Sequence, residues 1–310
     1  MTKKELVDRV LSGRAAACPP VSFWYHFGVQ HGGGEVFARI ALDYFLHYDF
    51  DFLKVMNDYF YPLPVGVPAI RTRSDLQQLA RFDPKETAWR EQFKALEIIS
   101  RRLADEAYFI DTVFDPWQSL NRHLASENMH HLMANEPQAL LDALDVVADN
   151  LIDYCKVSMG IGAAGIFLSL PAGSEIVTRE DFLKFVKPFA HKVLHAIDGL
   201  GPMTTLHVHG TDLHFDDVLD LPAPVFNWWD RGPGGPDLQS VLSKISGCVM
   251  GGIDQTIVAR RTRPFLEDHV REAMVLGGDR RYILANGCSI DTWVHPGAIH
   301  TIVDTVRKKG

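Results

Sequence analysis

An α/β protein, a single (β/α)8 TIM barrel with helical insertions after strands 2 and 3, is the fold this sequence predicts. Eight short apolar runs recur along the 310 residues, and each is followed by a segment of helical periodicity. Strands that alternate with helices imply parallel pairing through right-handed crossovers. Eight such units at this length match the barrel count. The runner-up is a doubly wound open sheet. Against it, "GVQHGGGE" after the first run is rich in glycine but lacks the GxGxxG spacing.

The runs follow in order. "VSFWYHF" (21–27) precedes "GGGEVFARIALDYFL", and "FDFLKVMND" (50–58) is the second. "YFIDTVFD" (108–115) precedes "PWQSLNRHLA", and "AAGIFLSLP" (163–171) precedes the helix after "TRED". "MTTLHVHG" (203–210), "APVFNWWD" (223–230) and "CVMGGID" (248–254) each lead into a helical pattern. "RYILANGC" (281–288) leads into "HPGAIHTIVDTVRKKG". Extra chain lies at 59–107, a proline-rich turn and two helical stretches, and at 136–160, a further helix of 3.6 periodicity. Both read as insertions on one barrel domain spanning 1–310.

Composition narrows the function classes. The formal net charge is −8, and the basic clusters "RRTR" and "RKKG" are short, which argues against a nucleic-acid footprint. No window approaches 18 uninterrupted apolar residues, so no membrane span is expected. The charged, amphipathic N-terminus reads as an ordinary helix rather than a signal peptide. Four scattered cysteines without CxxC spacing suggest reduced thiols in a cytoplasmic protein.

Barrel active sites gather at the C-terminal ends of the strands. Those ends carry His26, Asn57, Asp58, Asp115, His207, His209, Asn227, Asp230, Asp254, Asn286 and Cys288. Asp115 and Asp230 read equally well as helix or turn caps, and His26 as a packed ring. The pair His207 and His209 is harder to treat as filling. Residues i and i+2 of a strand share a face, and the apolar Leu206 and Val208 belong against the helices, so the histidines line the lumen. Two neutral imidazoles in a dry lumen need partners. Either a bound cation supplies them, with Cys288 as third ligand in an ordinary zinc shell with an open position, or the pair binds an anionic substrate. Of the neighbours Trp228 and Trp229, one packs in the core and one walls the pocket, with Trp228 taken as the wall. "GVQHGGGE" reads as a loop or a lid.

These segments resemble the superfamily of uroporphyrinogen decarboxylase and its zinc-dependent methylcobamide:thiol methyltransferase relatives. "DFDFLKVMNDYFYP" resembles the second-strand segment ending in an aspartate, "FDPWQSLNRHLA" the "GAPWT" segment, and "GGID" the strand-7 element. "YILANGCSIDTWVHPGAIHTIVDTVRK" resembles the C-terminal signature. Most specific is a pair. The methyltransferase branch has His-x-Cys-Gly after strand 5 and Gly-Cys after strand 8, where this chain has His207-Val208-His209-Gly210 and Gly287-Cys288. The decarboxylase branch holds its tetrapyrrole with arginines in an N-terminal segment that reads "FWYHFGVQHGGGE" here, without arginine.

The resemblance therefore implies the methyltransferase branch. His207, His209 and Cys288 would hold zinc, and Asp58 and Asp254 would act in catalysis. His26, Asn57, Trp117, Asn227, Trp228 and Asp230 would contact a small-molecule substrate. A methyl group would pass between a corrinoid, brought from outside or on a partner corrinoid protein, or a small methylated donor, and a thiol-type acceptor. A homodimer enters by analogy. The alternatives are a decarboxylase of a small or tetrapyrrole carboxylate, and a non-catalytic ligand-binding barrel.

Overall fold

The computed structural model describes residues 1–123 and 128–308. Its strands are β1 (Val21–Ser22), β2 (Phe52–Val55), β3 (Tyr108–Phe114), β4 (Ile166–Pro171), β5 (Thr205–His209), β6 (Val225–Trp228), β7 (Cys248–Ile253) and β8 (Tyr282–Asn286). All pair in parallel, in the order β1-β8-β7-β6-β5-β4-β3-β2. The result is the expected (β/α)8 barrel, nearly closed. Its strands read as near-continuous apolar runs because both faces are covered, by helices outside and by the packed lumen inside.

The order leaves β1 and β2 at its two ends, and one residue bridges them. The Asp51 N–H donates to the Val21 carbonyl at 2.9 Å, and the Asp51 carboxylate accepts the Val21 N–H at 2.8 Å. Arg307, at the end of the last helix, donates to the same carboxylate at 2.9 Å. A side chain thus stands in for one ladder bond at the seam.

The strands are shorter than their apolar runs. In the first run only Val21 and Ser22 pair with β8. Phe23 and Trp24 remain buried, Trp24 against Phe167 at the lumen cavity and Phe23 against Phe50, after the chain has left the ladder. Burial, which the apolar pattern records, continues beyond pairing, which it does not.

Both insertions are present. Between β2 and β3 lies Trp89–Leu103, whose Trp89, Phe93, Leu96, Ile99 and Leu103 are buried at helical spacing. Between β3 and β4 lie Pro116–His123, Met129–Asn135 and Pro137–Ile161. Buried Asp111 of β3 ties the two together, accepting from Gln92 at 3.0 Å, Tyr154 at 2.7 Å and Ser158 at 2.9 Å. Burial raises its carboxyl to about 6, against the pull of those bonds. Among the described residues no helix is long and apolar enough to cross a membrane. All four cysteines are free thiols.

Candidate metal centre

On β5, alternation does what the sequence implies. Leu206 and Val208 are fully buried, and His207, 4% exposed, lies with His209 on the lumen side. Parallel register sets His207 directly opposite Asn227 of β6, and the His207 Nδ1 lies 2.6 Å from Asn227 Oδ1. Asn227 spends its amide hydrogens on the carbonyls of Met250 (2.9 Å) and Asn286 (3.2 Å). Its oxygen therefore faces the ring and accepts, which puts the proton of His207 on Nδ1 and leaves the Nε2 lone pair free. Phe167 stacks on the same ring, with centroids 5.1 Å apart. Burial, the nearby His209 and Lys54 hold His207 well below the ordinary imidazole range. Burial likewise lowers His209. Both rings are neutral at pH 7, the state in which imidazole binds a metal.

Cys288 reaches them from the turn after β8. Asn286 holds that turn, donating to the Trp24 carbonyl at 3.2 Å and the Cys288 carbonyl at 2.6 Å. Gln255 accepts the Cys288 N–H at 3.2 Å. Gly287 makes the approach feasible, since a Cβ there would lie 2.7 Å from Trp229 Cα and 2.8 Å from the Trp228 carbonyl oxygen. Gly210, at φ +123°, plays the same part after β5, where a Cβ would meet Gly173 at 2.6 Å. The glycines flanking the three donors are thus steric requirements. Gly287→Ala is expected to cost about 1–3 kcal/mol and to displace Cys288. A chemical-denaturation midpoint equal to wild type would contradict this.

The donor atoms of His207, His209 and Cys288 lie within 4.8 Å of one another. The His209 Nδ1 to Cys288 Sγ distance is 3.8 Å, where tetrahedral zinc with ordinary bond lengths sets about 3.6 Å. A donor set of two neutral imidazoles and one thiol suits zinc, and these residues fit it. Without a metal, burial pushes the Cys288 thiol above its ordinary range. The cluster separates two cavities. One, of about 80 Å³, runs into the lumen past Lys54, Thr112, Gln118, Arg122 and Ser169. The other, of about 230 Å³, opens outward between Glu175, Thr211, Trp229 and Gln255.

Asp58 and His26 form a dyad at the inner cavity. The His26 Nδ1 lies 2.5 Å from Asp58 Oδ1, and Gln30 donates to Asp58 Oδ2 at 3.1 Å. Burial alone would raise the Asp58 carboxyl, but the bond from His26 and the charges of His26, Lys54 and Arg122 outweigh it and hold it below the usual range. The ionised carboxylate can only accept, so His26 donates through Nδ1 and keeps Nε2 free.

Several expected contacts take other positions. Trp117 is 1% exposed and lines neither cavity. Its N–H caps onto Asp115, so its ring is core rather than substrate wall. Trp228 is fully buried against Phe215 and donates to the Pro236 carbonyl at 2.8 Å. Its neighbour Trp229 is the one that walls the outer cavity, on the same side as Asn227, which faces His207. Asn57 bonds Tyr154 and lines a separate crevice toward the insertion helices. Asn227 lines neither cavity and orients His207 instead. Asp230 caps Gly252 N–H behind the sheet, and burial raises its carboxyl to about 6. Asp254 accepts from Thr256 and from the Trp229 indole at 3.2 Å, so it positions that wall rather than facing either cavity. Lys54, Arg122, Gln118 and Gln255 line the cavities without having been singled out from the sequence.

A family model described as uroporphyrinogen decarboxylase (URO-D) matches residues 61–309, most of the chain. The chain belongs to the uroporphyrinogen decarboxylase family. Curated relatives within it carry two activities. One is a uroporphyrinogen decarboxylase of Serratia proteamaculans, 26% identical over 60% of this chain and 48% of its own length. Another is the methylcobamide:CoM methyltransferase MtbA of Methanosarcina mazei, 24% identical over 49% of this chain and 45% of its own. The chain spans about half the length of these curated relatives. Among solved structures, a methyltransferase from Methanosarcina mazei superimposes with a TM-score of 0.83 at 16% identity, covering 99% of both chains. A B12-independent methionine synthase from Shewanella follows at 0.51 and 13% identity, over 70% of this chain and 64% of that one. These likenesses show the fold, and the first of them matches it from end to end.

Proposed function

We propose that this chain is a zinc-dependent methyltransferase of the uroporphyrinogen decarboxylase family that moves a methyl group to a thiol-type acceptor. The carrying observation is the convergence of His207, His209 and Cys288, with His207 already held in the ligand tautomer by Asn227. Zinc held there would act as a Lewis acid that lowers the pKa of a bound thiol. His26, oriented by Asp58, presents Nε2 as the acceptor for the proton that such a thiol gives up. Asn227 keeps the His207 lone pair aimed at the cavity. Trp229, fixed by Asp254, forms a flat wall of the outer cavity, where a corrinoid or small methylated donor would approach. Tetrapyrrole decarboxylation fits less well, because the two cavities are too small for a four-ring macrocycle and the segment after β1 carries no arginine to meet its acid arms.

The test is the metal content of the purified protein. About one zinc per chain is expected. A metal-free protein whose melting temperature ignores added zinc and chelators would refute the assignment. Asn227→Ala is expected to keep the fold and to weaken zinc affinity about 10- to 100-fold, the usual effect of losing the partner that orients a ligand histidine. Competition against a fluorescent chelator would measure it, and an affinity equal to wild type would remove Asn227 from this role.

A further inference from the structure

The turn after β7 holds two parts of the outer cavity at once, and it is itself held from outside the barrel. Asp254 Oδ1 accepts from the Trp229 indole at 3.2 Å and from the N–H and hydroxyl of Thr256 at 2.9 and 2.8 Å. The next residue, Gln255, accepts the Cys288 N–H at 3.2 Å through its side chain. Trp229 and Cys288 both line the outer cavity. The backbone of the turn is tied down by His269 of the helix Arg263–Gly277, whose Nε2 lies 3.1 Å from the Asp254 N.

That bond fixes the state of the ring. A backbone N–H can only donate, so His269 Nε2 offers its lone pair and the ring proton sits on Nδ1. Burial and the nearby Arg231 hold the imidazole below its ordinary 6.5, against the pull of Glu272 and Asp254. These are the charged groups that face it: Arg231 from the turn after β6, Glu272 from its own helix, and Asp254 from the turn that it anchors. Arg231 is fixed beside the ring, since it donates to the Gly252 carbonyl at 3.2 Å and to Glu272 at 3.3 Å. Phe265 stacks on the ring from one turn earlier, with centroids 6.4 Å apart. A second proton would go to Nε2, the atom that now accepts. Two N–H groups would then face each other, and the bond that holds the turn would be lost.

We propose that His269 is a positioning residue for the outer cavity and a proton-controlled latch: neutral, it holds the 254–256 turn, and with it the Trp229 wall and the Cys288 N–H, and protonation releases them. His269 lines neither cavity and acts through Asp254. One consequence, a methyl-donor site that loses its wall in acid, rests on the methyltransferase reading. The latch does not.

The indole N–H resonance of Trp229 reads the latch in the metal-free protein by heteronuclear NMR. Six tryptophans give six such signals, and the one absent from Trp229→Phe is the reporter. Taken from about pH 8 to about pH 5, the wild-type signal is expected to move in one transition with its midpoint below 6.5. His269→Gln places an amide oxygen where Nε2 stood, accepts the same N–H and takes up no proton in that range. Its Trp229 signal is expected to stay at the wild-type pH 8 position throughout. His269→Leu offers no acceptor, and its signal is expected at the wild-type acid position even at pH 8. A general loss of fold would move all six signals together, and these changes are expected in Trp229 alone. A wild-type signal that does not move overturns the proposal. So does a transition that survives in His269→Gln, which would belong to His209 or Glu175 at the same cavity, and so does a His269→Leu signal at the wild-type pH 8 position. If His269→Leu does not fold, wild type and His269→Gln decide alone. No zinc or substrate enters the measurement, so its failure and that of the methyltransferase reading are separate results.

Discussion

Cys288→Ser is expected to leave the purified protein without stoichiometric metal, with zinc affinity lowered on the order of 10³-fold. The magnitude follows from structural zinc sites, where a binding free energy of roughly 10–16 kcal/mol spread over four donors gives about 2.5–4 kcal/mol each, the upper end being about 10³-fold. Here the loss is sharper in kind, because Cys288 supplies the only negative charge among the three donors. His207→Ala should do the same. Cys155 and Cys248 provide the control. Both are buried thiols outside the cluster, pushed up by burial, Cys248 to about 12, and serine at either should leave zinc content unchanged. Elemental analysis beside circular dichroism reads both arms. Full zinc occupancy in folded Cys288→Ser would rule out the ligand set, as would equal loss in Cys155→Ser.

Lys54→Met is expected to stabilise the metal-free protein at neutral pH, an unusual result for a fully buried position. Burial drives the Lys54 ammonium from its ordinary 10.5 down to about 7. Below pH 7 the group is charged in both the folded and unfolded states, and the folded state bears the whole desolvation penalty. Between about 7 and 10.5 the unfolded chain holds a proton that the folded one has released. Wild-type stability therefore gains from this residue as pH rises through that window, on the order of a few kcal/mol. Methionine fills similar volume without the charge. The advantage of the variant over wild type should be greatest near pH 6.5 and shrink toward pH 9. Taking the difference between the two proteins cancels other groups that titrate there, such as Asp115, which burial raises to about 8. Thermal or denaturant unfolding at several pH values measures it. A variant less stable than wild type at every pH would mean that Lys54 serves the fold.

Much of the architecture was legible because burial on both faces of a barrel strand writes itself as an apolar run. Eight runs, each trailed by helical periodicity, are hard to satisfy in another way. The polar face of β5 was legible for the same reason, since period two places His207 and His209 together whatever the partner. The end of strand 8 offered Cys288 as the third donor, and the glycine before it proves to be a steric necessity. Trp228 and Trp229 were legible only as a pair. Which of them faces a cavity depends on which side of β6 meets the lumen, and that is set by the register that puts Asn227 opposite His207. Trp117, Asp230 and Asp254 were read as substrate or catalytic groups, yet strand ends also need caps: Asp230 and Asp254 accept the N–H groups of Gly252 and Thr256, and the backbone N–H of Trp117 is itself capped by Asp115.

Lys54 carries a signal of its own in the sequence, a single charge inside "FLKV", the strand β2, where both faces are buried. A lysine there must be paired, meet a ligand or give up its proton.

By itself the sequence determined which segments are strands, which side of β5 faces inward, and that two imidazoles and a thiol end at one rim. These are local consequences of side-chain alternation and of where apolar residues must go. Only the tertiary structure decided that Asn227 sets the His207 tautomer, that Asp58 orients His26, and that Lys54 has no counter-ion among the described residues. Each of these depends on register between strands distant in the chain, and hydrogen bonds and charge pairs across a barrel are fixed by that register rather than by any neighbour in sequence.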